Sequence, residues 1–241
     1  MTGLTNDVVS FLDELFPNPK CELKFSKDYE LVIATMLSAQ TTDKRVNMVT
    51  DVLFTKYPDL KSLSEASIYD VANIIKPIGT FKRKANYTIM IAKRLYKECD
   101  GAVPNDRCYL ESLPGVGRKT ANVVLSNIFN IPCMAVDTHV KRVSIRLGLV
   151  YDSDSVNIIQ EKLELIFKDN DIGRLHHQFV LFGRYFCMAR KPMCNECKLR
   201  KYCKENKRWL KKNLVGQSYI RIIKFCLLSI RLDTFPFLKA M

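Results

Sequence analysis

The strongest constraint on the fold of this chain is a set of four cysteines near its C-terminal end. They follow the spacing C-x6-C-x2-C-x5-C and are Cys187, Cys194, Cys197 and Cys203. Four thiolates brought together form a site for a soft metal centre, either a zinc ion or an iron–sulfur cluster. Zinc modules usually repeat a close C-x2-C pair, whereas only Cys194 and Cys197 are that close here. The unequal gaps therefore favour a cluster with four separate iron corners, with zinc as the alternative.

Composition and the first residues indicate where such a chain works. Nine cysteines, an odd number, occur among 241 residues, of which 47% are hydrophobic. Residues 1–10 lack the basic start and apolar run of a secretory signal peptide. The apolar stretch at residues 218–232 is interrupted by charges, so it predicts no transmembrane segment. We therefore expect a cytoplasmic protein in a reducing compartment, with enough apolar residues for one large or two small domains.

The charge of the chain is strongly positive and unevenly placed. The formal net charge is +13, and residues 181–212 contain eleven Lys or Arg against two Glu. A balance of this kind predicts attraction to a polyanion. Because the basic residues surround the four cysteines, we interpret this region as a phosphate-contacting surface rather than as charge that only favours solubility.

The hydrophobic periodicity predicts an all-α fold. Apolar residues recur at three- and four-residue steps in several stretches, separated by proline and glycine. These stretches are Tyr29–Leu37, Val46–Lys56, Lys84–Cys99, Lys119–Ile128 and Val156–Phe167. The pattern predicts roughly ten helices and no strand pairs bounded by hairpin turns.

A glycine-rich turn between two predicted helices is the second informative motif. It reads LPGVGRKTA over residues 113–121. Glycine permits positive φ, and the N–H groups at a helix start bind anions. Arg118 and Lys119 would lie at the positive end of the next helix, where cations are locally unfavourable, which indicates a function beyond helix stability. An ordinary connection between helices is the alternative. The predicted site for a nucleic-acid phosphate consists of Gly115, Val116, Gly117 and Arg118.

Several motifs, in this order and spacing, resemble the endonuclease III family of DNA glycosylases in the helix-hairpin-helix (HhH-GPD) superfamily. The turn continues as LPGVGRKTANVV, and AVDTHVKR follows with Asp137 eighteen residues after Lys119. The four-cysteine spacing comes next. Two earlier segments agree, MLSAQTTD at Met36–Asp43 and IKPIG at Ile75–Gly79. The resemblance extends from about residue 5 to residue 212.

The resemblance implies a bifunctional enzyme of base excision repair. Such an enzyme removes oxidised pyrimidines from DNA and cleaves on the 3′ side of the abasic site by β-elimination. It implies that Lys119 is the catalytic nucleophile, and the chemistry agrees, because an amine is needed to form a Schiff base with the opened sugar. Asp137 would be its carboxylate partner. Since Asp137 also precedes an apolar helical pattern, it is equally a candidate N-cap, and the two roles are compatible.

The family further implies residues that contact DNA around the catalytic pair. Gln40 would enter the space left by the extruded base. Arg190 and Lys191, in the loop between the first two metal-binding cysteines, would contact phosphates. Further candidates for lining the cleft are Asp43, Ile78 and His139.

The sequence departs from the family pattern at two positions. Thr80 stands where a larger apolar wedge residue is common, so we expect weaker filling of the gap in the DNA, or a wedge role shifted to Ile78 or Phe81. Met193 stands where a basic residue is common, which predicts weaker DNA binding by the loop between Cys187 and Cys194.

The resemblance also implies a two-domain fold and a [4Fe–4S] cluster bound by the four cysteines. One domain, residues 21–131, would be a six-helix barrel that contains the helix-hairpin-helix. The other would combine residues 1–20 with residues 132–212 and hold the cluster, and residues 213–241 would be an extension of unknown role. Lys119 and Asp137 would then face each other across the cleft between the domains.

The implied partner is double-stranded DNA that carries oxidised pyrimidines or abasic sites. We expect a monomer, associated with the nucleoid if the source is bacterial. Two other functions stay open. An adenine mismatch glycosylase shares the hairpin and the cluster but normally lacks a lysine at the position of Lys119. A non-catalytic, metal-stapled DNA-binding module would keep the hairpin and the basic loop without chemistry.

Overall fold

Helices make up the regular structure of the protein. The structure is a computed structural model that describes residues 2–206. No β-strand occurs in this part of the chain, so the predicted all-α fold is confirmed. In chain order the helices are α1 (Thr2–Leu15), α2 (Asp28–Leu37), α3 (Asp43–Lys56), α4 (Leu60–Ser64), α5 (Ile68–Ile74), α6 (Phe81–Glu98), α7 (Arg107–Ser112), α8 (Arg118–Phe129), α9 (Thr138–Leu147), α10 (Val156–Ile166) and α11 (Ile172–Leu181). A π-helical turn at Phe182–Phe186 continues α11, and a 3-10 turn covers Lys198–Lys201.

The stretches predicted from hydrophobic periodicity coincide with α2, α3, α6, α8 and α10. The longest of these helices, α6, shows how the apolar spacing leads to a helix with one buried face. Ala85, Ile89 and Ala92 recur at steps of four and three residues and are buried on one face. Helical residues three and four apart share a face, so this spacing turns an apolar stripe towards the core.

Side-chain caps fix where the helices of interest begin and end. α7, α9 and α11 each start after an aspartate whose carboxylate accepts hydrogen bonds from backbone N–H groups of the first turn, at Asp106, Asp137 and Asp171. α8 and α9 end at Asn130 and Gly148, both in the left-handed conformation that stops a helix. Replacing such an N-cap with alanine typically costs about 0.5–2 kcal/mol. The Asp137 cap therefore fixes the N-terminal end of α9, whereas α8 starts after Gly117 without a side-chain cap.

The buried apolar residues form two clusters. The first draws on α2 to α8 and extends from Leu23 to Leu125. The second combines α1 with α9, α10 and α11, and extends from Val8 to Leu199. We interpret these clusters as the cores of the two predicted domains, residues 21–131 and residues 1–20 with 132–212.

A buried polar link connects the two clusters. Asn122 of α8 is 1% exposed, and its side-chain amide donates to Oε1 of Gln160 in α10 at 3.0 Å. Its Oδ1 accepts from Arg107 of α7. Gln160 in turn donates to Glu164 at 2.9 Å, which accepts the backbone N–H of Met134 at 2.9 Å. Because buried polar groups are costly unless paired, this network fixes α8 relative to the second cluster.

Within residues 2–206, no helix has the length and apolar character needed to cross a membrane. The predicted extension, residues 213–241, and the last residues of the predicted second domain, 207–212, lie outside the described residues.

Candidate active site and metal centre

Lys119 and Asp137 line the same narrow cleft between the two hydrophobic clusters. Lys119 is the second residue of α8, and its side chain is exposed. Asp137 is the N-cap of α9 and is half-buried. Two helix starts, one on each wall, therefore bring an amine and a carboxylate into one cleft.

The predicted capping role of Asp137 is confirmed. Its Oδ1 accepts the backbone N–H of His139 at 2.7 Å and that of Val140 at 2.8 Å. Both bonds end on the same oxygen, so they fix the carboxylate group at the start of α9. A cap held in this way keeps its charge at a set position in the cleft.

An ion-pair network closes one side of the cleft. Arg184, from the π-helical turn, donates to Oδ2 of Asp43 at 2.8 Å and to the carboxylate of Glu22. The phenol of Tyr185 donates to the other oxygen of Glu22 at 2.5 Å. Burial raises the pKa of Asp43, while the nearby Lys119 opposes that shift. The network ties α3 and the segment before α2 to the second cluster.

Close packing of the π-helical turn against α9 sets the position of Arg184. A Cβ on Gly183 would lie 2.7 Å from Cβ of His139 and 3.1 Å from its Cα, so only glycine fits. Arg142 of α9 donates to the carbonyl of Gly183 at 2.6 Å and lies 3.3 Å from Nδ1 of His139. His139 is thus beside the cleft, where it also borders Asp43 and Arg184.

In the glycine-rich turn before α8, two of the predicted residues are closely packed and the other two are exposed. Gly115 has φ +77, and a Cβ there would lie 2.7 Å from the ring of Tyr87, so this position requires glycine. Val116 is 5% exposed, and its N–H donates to the carbonyl of Leu113 at 3.1 Å. The side chain and the N–H of Val116 thus both stabilise the turn, and its phosphate contact stays a prediction. Gly117 and Arg118 are exposed.

Gln40 and Thr80 border one recess together with Gly115. Both have left-handed backbone conformations, with φ 58 and φ 55. The ammonium of Lys84 anchors the Gln40 loop, because it donates to the carbonyls of Leu37 and Ala39 at 2.8 and 2.7 Å.

The side chain of Ile78 is 1% exposed and belongs to the first hydrophobic cluster. Ile78 is not among the residues that line the cleft of Lys119, so its role there stays a prediction. Thr80, by contrast, is exposed at the N-cap of α6.

The loop between the first two metal-binding cysteines presents its basic residues to the surface. Arg190 and Lys191 are exposed, and Lys191 has a left-handed backbone with φ 54. Met193 is 38% exposed, and its N–H donates to the carbonyl of Phe186 at 3.1 Å.

The four cysteines of the predicted metal centre line one cavity, together with Arg146 of α9. Arg146 donates to Sγ of Cys187 at 3.3 Å and to the carbonyl of Met188 at 2.8 Å. Burial raises the pKa of the Cys187 thiol and that of the Cys197 thiol, the latter to about 11. Among residues 2–206, no three His, Cys, Asp or Glu side chains converge as ligands of a single metal ion. Four soft donors around a shared cavity, with a cationic donor to one sulfur, are chemically suited to an iron–sulfur cluster.

Most of the residues that line the cleft were not predicted from the sequence. Arg184, Thr35 and His176 all line it. The adjacent pair His176–His177 was a usable signal, because the chain contains only three histidines and all of them border this region. Thr35 and Arg184 carry no local signal, since only tertiary packing brings them to Lys119.

The fold and the lysine–aspartate cleft define a class of protein. Residues 33–168, more than half of the chain, match the HhH-GPD superfamily of base excision DNA repair proteins. The resemblance inferred from the motifs is confirmed.

Relatives narrow the assignment within that superfamily. Endonuclease III of Bacillus subtilis (strain 168) is 43% identical over 204 residues, which cover 85% of this chain and 93% of the relative. Endonuclease III of Escherichia coli (strain K12) is 41% identical over 197 residues, covering 82% and 93%. A solved structure of a trapped endonuclease III–DNA covalent intermediate superposes with a TM-score of 0.80 at 40% identity, covering 84% of this chain and 95% of that one. The chain belongs to the endonuclease III family, and it is a DNA glycosylase/AP lyase of base excision repair.

Proposed function

We propose that this enzyme removes oxidised pyrimidines from double-stranded DNA and cleaves the strand through a Schiff base on Lys119. The observation that carries the proposal is the placement of Lys119 and Asp137 at two helix starts that face one cleft. A structure 40% identical to this chain is a trapped covalent intermediate with DNA, which supports a covalent step.

Lys119 is the nucleophile at the start of this chemistry, and the imine that it forms is the electron sink for the elimination. Its neutral Nζ attacks C1′ of the damaged nucleotide, and the bond from C1′ to the base breaks, so the base leaves with the bonding pair and takes up a proton. The C1′–O4′ bond then opens, with a proton going to O4′, and a protonated imine forms between Nζ and C1′. Loss of the C2′ proton expels the 3′ phosphate, and water releases Lys119.

Asp137 acts in this scheme as a fixed negative charge. Its Oδ1 is held by two backbone N–H groups, so the carboxylate stays near the sugar without needing to reorganise. A preorganised charge of this kind stabilises the cationic sugar that develops as the base leaves. We assign the deprotonation of Lys119 to water rather than to this carboxylate.

Exposed basic residues, together with the loops that have left-handed backbone conformations, would bind the DNA. Extruding a base from the stack costs a few kcal/mol, and less when the base is damaged. Arg118, Arg190 and Lys191 would offset that cost through phosphate contacts, with Gly117 at the start of α8. Gln40 would fill the space left in the duplex, supported by Thr80 across the shared recess.

We propose that Cys187, Cys194, Cys197 and Cys203 hold a [4Fe–4S] cluster. When bound, this group would supply a rigid link that shapes the basic loop. Arg146 would orient Cys187 through its hydrogen bonds to Sγ and to the neighbouring carbonyls. The unequal C-x6-C-x2-C-x5-C spacing supports this assignment over a single zinc ion, which more often has two close C-x2-C pairs.

We further propose that the enzyme acts as a monomer in the cytoplasm, on the nucleoid if the source is bacterial. The adenine mismatch activity is disfavoured because Lys119 is present in the cleft. The non-catalytic reading predicts DNA binding without covalent trapping.

Borohydride trapping on a duplex with a single thymine glycol tests the proposal. The parent protein should give a covalent protein–DNA band on a denaturing gel, and Lys119→Ala should give none. Lys93→Ala, at an exposed position on α6, is the matched control and should trap like the parent.

Two results would contradict the mechanism. Trapping by Lys119→Ala would show that another amine forms the imine. A parent protein that binds the duplex but gives no band would point to a glycosylase that acts through water, or to a binding module.

A further inference from the structure

Thr35 differs from the other buried threonines on helices. The hydroxyl of Thr50 donates to the carbonyl of Val46 at 3.1 Å, and that of Thr88 donates to the carbonyl of Lys84 at 2.9 Å. Such bonds to the preceding turn are the usual way to satisfy a hydroxyl inside a helix. Within the described residues, Oγ1 of Thr35 has no hydrogen-bond partner, although the residue is only 7% exposed. Thr35 instead lines the cleft that contains Lys119.

His176 presents a similar feature on the opposite wall. It is 4% exposed, and in the part of the chain that the structure describes its Nδ1 has no hydrogen-bond partner. Its neighbour His177 differs, because its Nε2 lies 3.1 Å from Oδ1 of Asn127. Burial, together with His177 and Lys119, lowers the pKa of His176 to about 3, so the ring is neutral at any working pH.

These two atoms belong to different elements, α2 and α11, and both residues line the same cleft. An unsatisfied buried polar atom costs about 1–3 kcal/mol, so two such atoms on residues that line one cleft are unfavourable unless each finds a partner there. A buried water molecule typically makes two to four hydrogen bonds to such groups. A hydroxyl and a neutral imidazole can each donate to or accept from it.

We propose that Thr35 and His176 are positioning residues that together hold one water molecule beneath Lys119. Nζ of Lys119 donates a hydrogen bond to this water. A neutral amine has two N–H bonds and one lone pair, so anchoring an N–H in the recess turns the lone pair towards the opening of the cleft, where C1′ would lie. This inference rests on the proposed role of Lys119 as the nucleophile.

The recess has another conceivable occupant, the polar edge of the damaged base. The two occupants make different predictions for a duplex with a preformed abasic site, which contains no base. A water that orients Lys119 is needed on both substrates, whereas a base-binding recess affects only DNA that still carries the base.

The test is the single-turnover rate of imine formation, measured by borohydride trapping, beside the Kd for the same duplex. Thr35→Val keeps the side-chain shape and removes the hydroxyl. It should slow imine formation about 10-fold on the abasic duplex, the effect of losing one hydrogen bond, with an unchanged Kd. Thr35→Ser keeps the hydroxyl and should restore the parent rate.

His176 offers a second pair of variants. His176→Asn keeps a polar atom near the position of Nδ1 and should retain most of the rate, whereas His176→Leu should slow imine formation as Thr35→Val does. Thr88→Val is the matched control, because that hydroxyl is bound within its own helix and Thr88 does not line the cleft of Lys119. A melting curve for each variant checks that it is folded.

Several outcomes would overturn the inference. One is a parent-like rate for Thr35→Val on the abasic duplex. Another is slowing that occurs only on thymine glycol DNA, which would assign the recess to the base. A high-resolution crystal structure without a water between Thr35 and His176 would also refute it. A parent protein that forms no imine would instead overturn the proposed function itself.

Discussion

Gly183→Ala tests whether close packing of the π-helical turn on α9 positions the cleft. The added methyl would lie 2.7 Å from Cβ of His139, 3.1 Å from its Cα and 3.2 Å from its carbonyl oxygen. Real Cβ atoms essentially never approach other atoms as closely as the first of these distances. Two of the three atoms are backbone, so no rotamer change relieves the contact, and the turn has to move away from α9.

The loss of folding stability expected for Gly183→Ala follows from this close packing. Overpacking a well-filled site costs about 1–3 kcal/mol, which outweighs the gain of up to about 1 kcal/mol that alanine brings to a helix over glycine. For a domain of 150–250 residues, each kcal/mol lowers Tm by about 2–4 °C. The shift would also move Arg184 away from Asp43, to which it donates at 2.8 Å, so borohydride trapping should slow as well.

Gly3→Ala is the control for this experiment. Gly3 lies in α1, and the nearest atom to an added Cβ is the phenol oxygen of Tyr202 at 4.0 Å. This variant should be as stable as the parent or slightly more stable, since alanine favours the helix. If Gly183→Ala melted at the parent temperature and trapped at the parent rate, close packing against His139 would not be what positions Arg184.

Three other predictions follow from the site. Asp137→Asn should keep the stability of the parent, because asparagine caps a helix about as well as aspartate, yet lose most borohydride trapping, because the negative charge is gone. Burial holds the pKa of His176 at about 3, against 6.5 for the ordinary side chain. The unfolded chain therefore binds more protons between these values, so the free energy of unfolding should decrease as the pH falls from 6.5 towards 3, and it should decrease less for His176→Asn in urea titrations. Arg190→Ala and Lys191→Ala should each weaken DNA binding and reduce the slope of log K against log salt by about 1 in fluorescence titrations, and unchanged slopes would remove these residues from the DNA contact.

The helices were predictable because their apolar residues keep a helical period over long stretches, as in α6. Lys119 and Asp137 were proposed as catalytic because their motifs resemble those of the endonuclease III family, and the capping role of Asp137 followed from the helical pattern after it. The π-helical turn was not predicted, because it packs against α9 through Gly183 and His139, two residues far apart in the sequence. The same applies to Thr35 and His176, whose hydrogen-bonding atoms are informative only once their lack of partners among the described residues is known.

Ile78 and Val116 are two candidate site residues whose side chains are buried for a common physical reason. Ile78 follows Pro77 in a turn, and Val116 lies between two glycines. In both cases the apolar side chain turns into the first hydrophobic cluster, at 1% and 5% exposure. A single apolar residue in a turn has no periodicity to show which way it faces, so its burial is decided by tertiary packing.

The residues with a left-handed backbone conformation in the described part of the chain fall into two groups, those that follow helix ends and those at predicted DNA contacts. Five non-glycine residues between positions 2 and 206 have positive φ, and they are Gln40, Thr80, Asp100, Asn130 and Lys191. Asp100 and Asn130 follow the ends of helices, where aspartate and asparagine tolerate this conformation. The other three have side chains without that tolerance, and a β-branched threonine is the least suited of them. Strain of this kind costs roughly 1–3 kcal/mol at each residue and persists where function requires it. Gln40, Thr80 and Lys191 are also the positions at which the family resemblance predicts contacts with DNA, or the wedge beside it. Because the strained residues coincide with these predicted contacts, we infer that their conformations preorganise the surface that binds the DNA duplex.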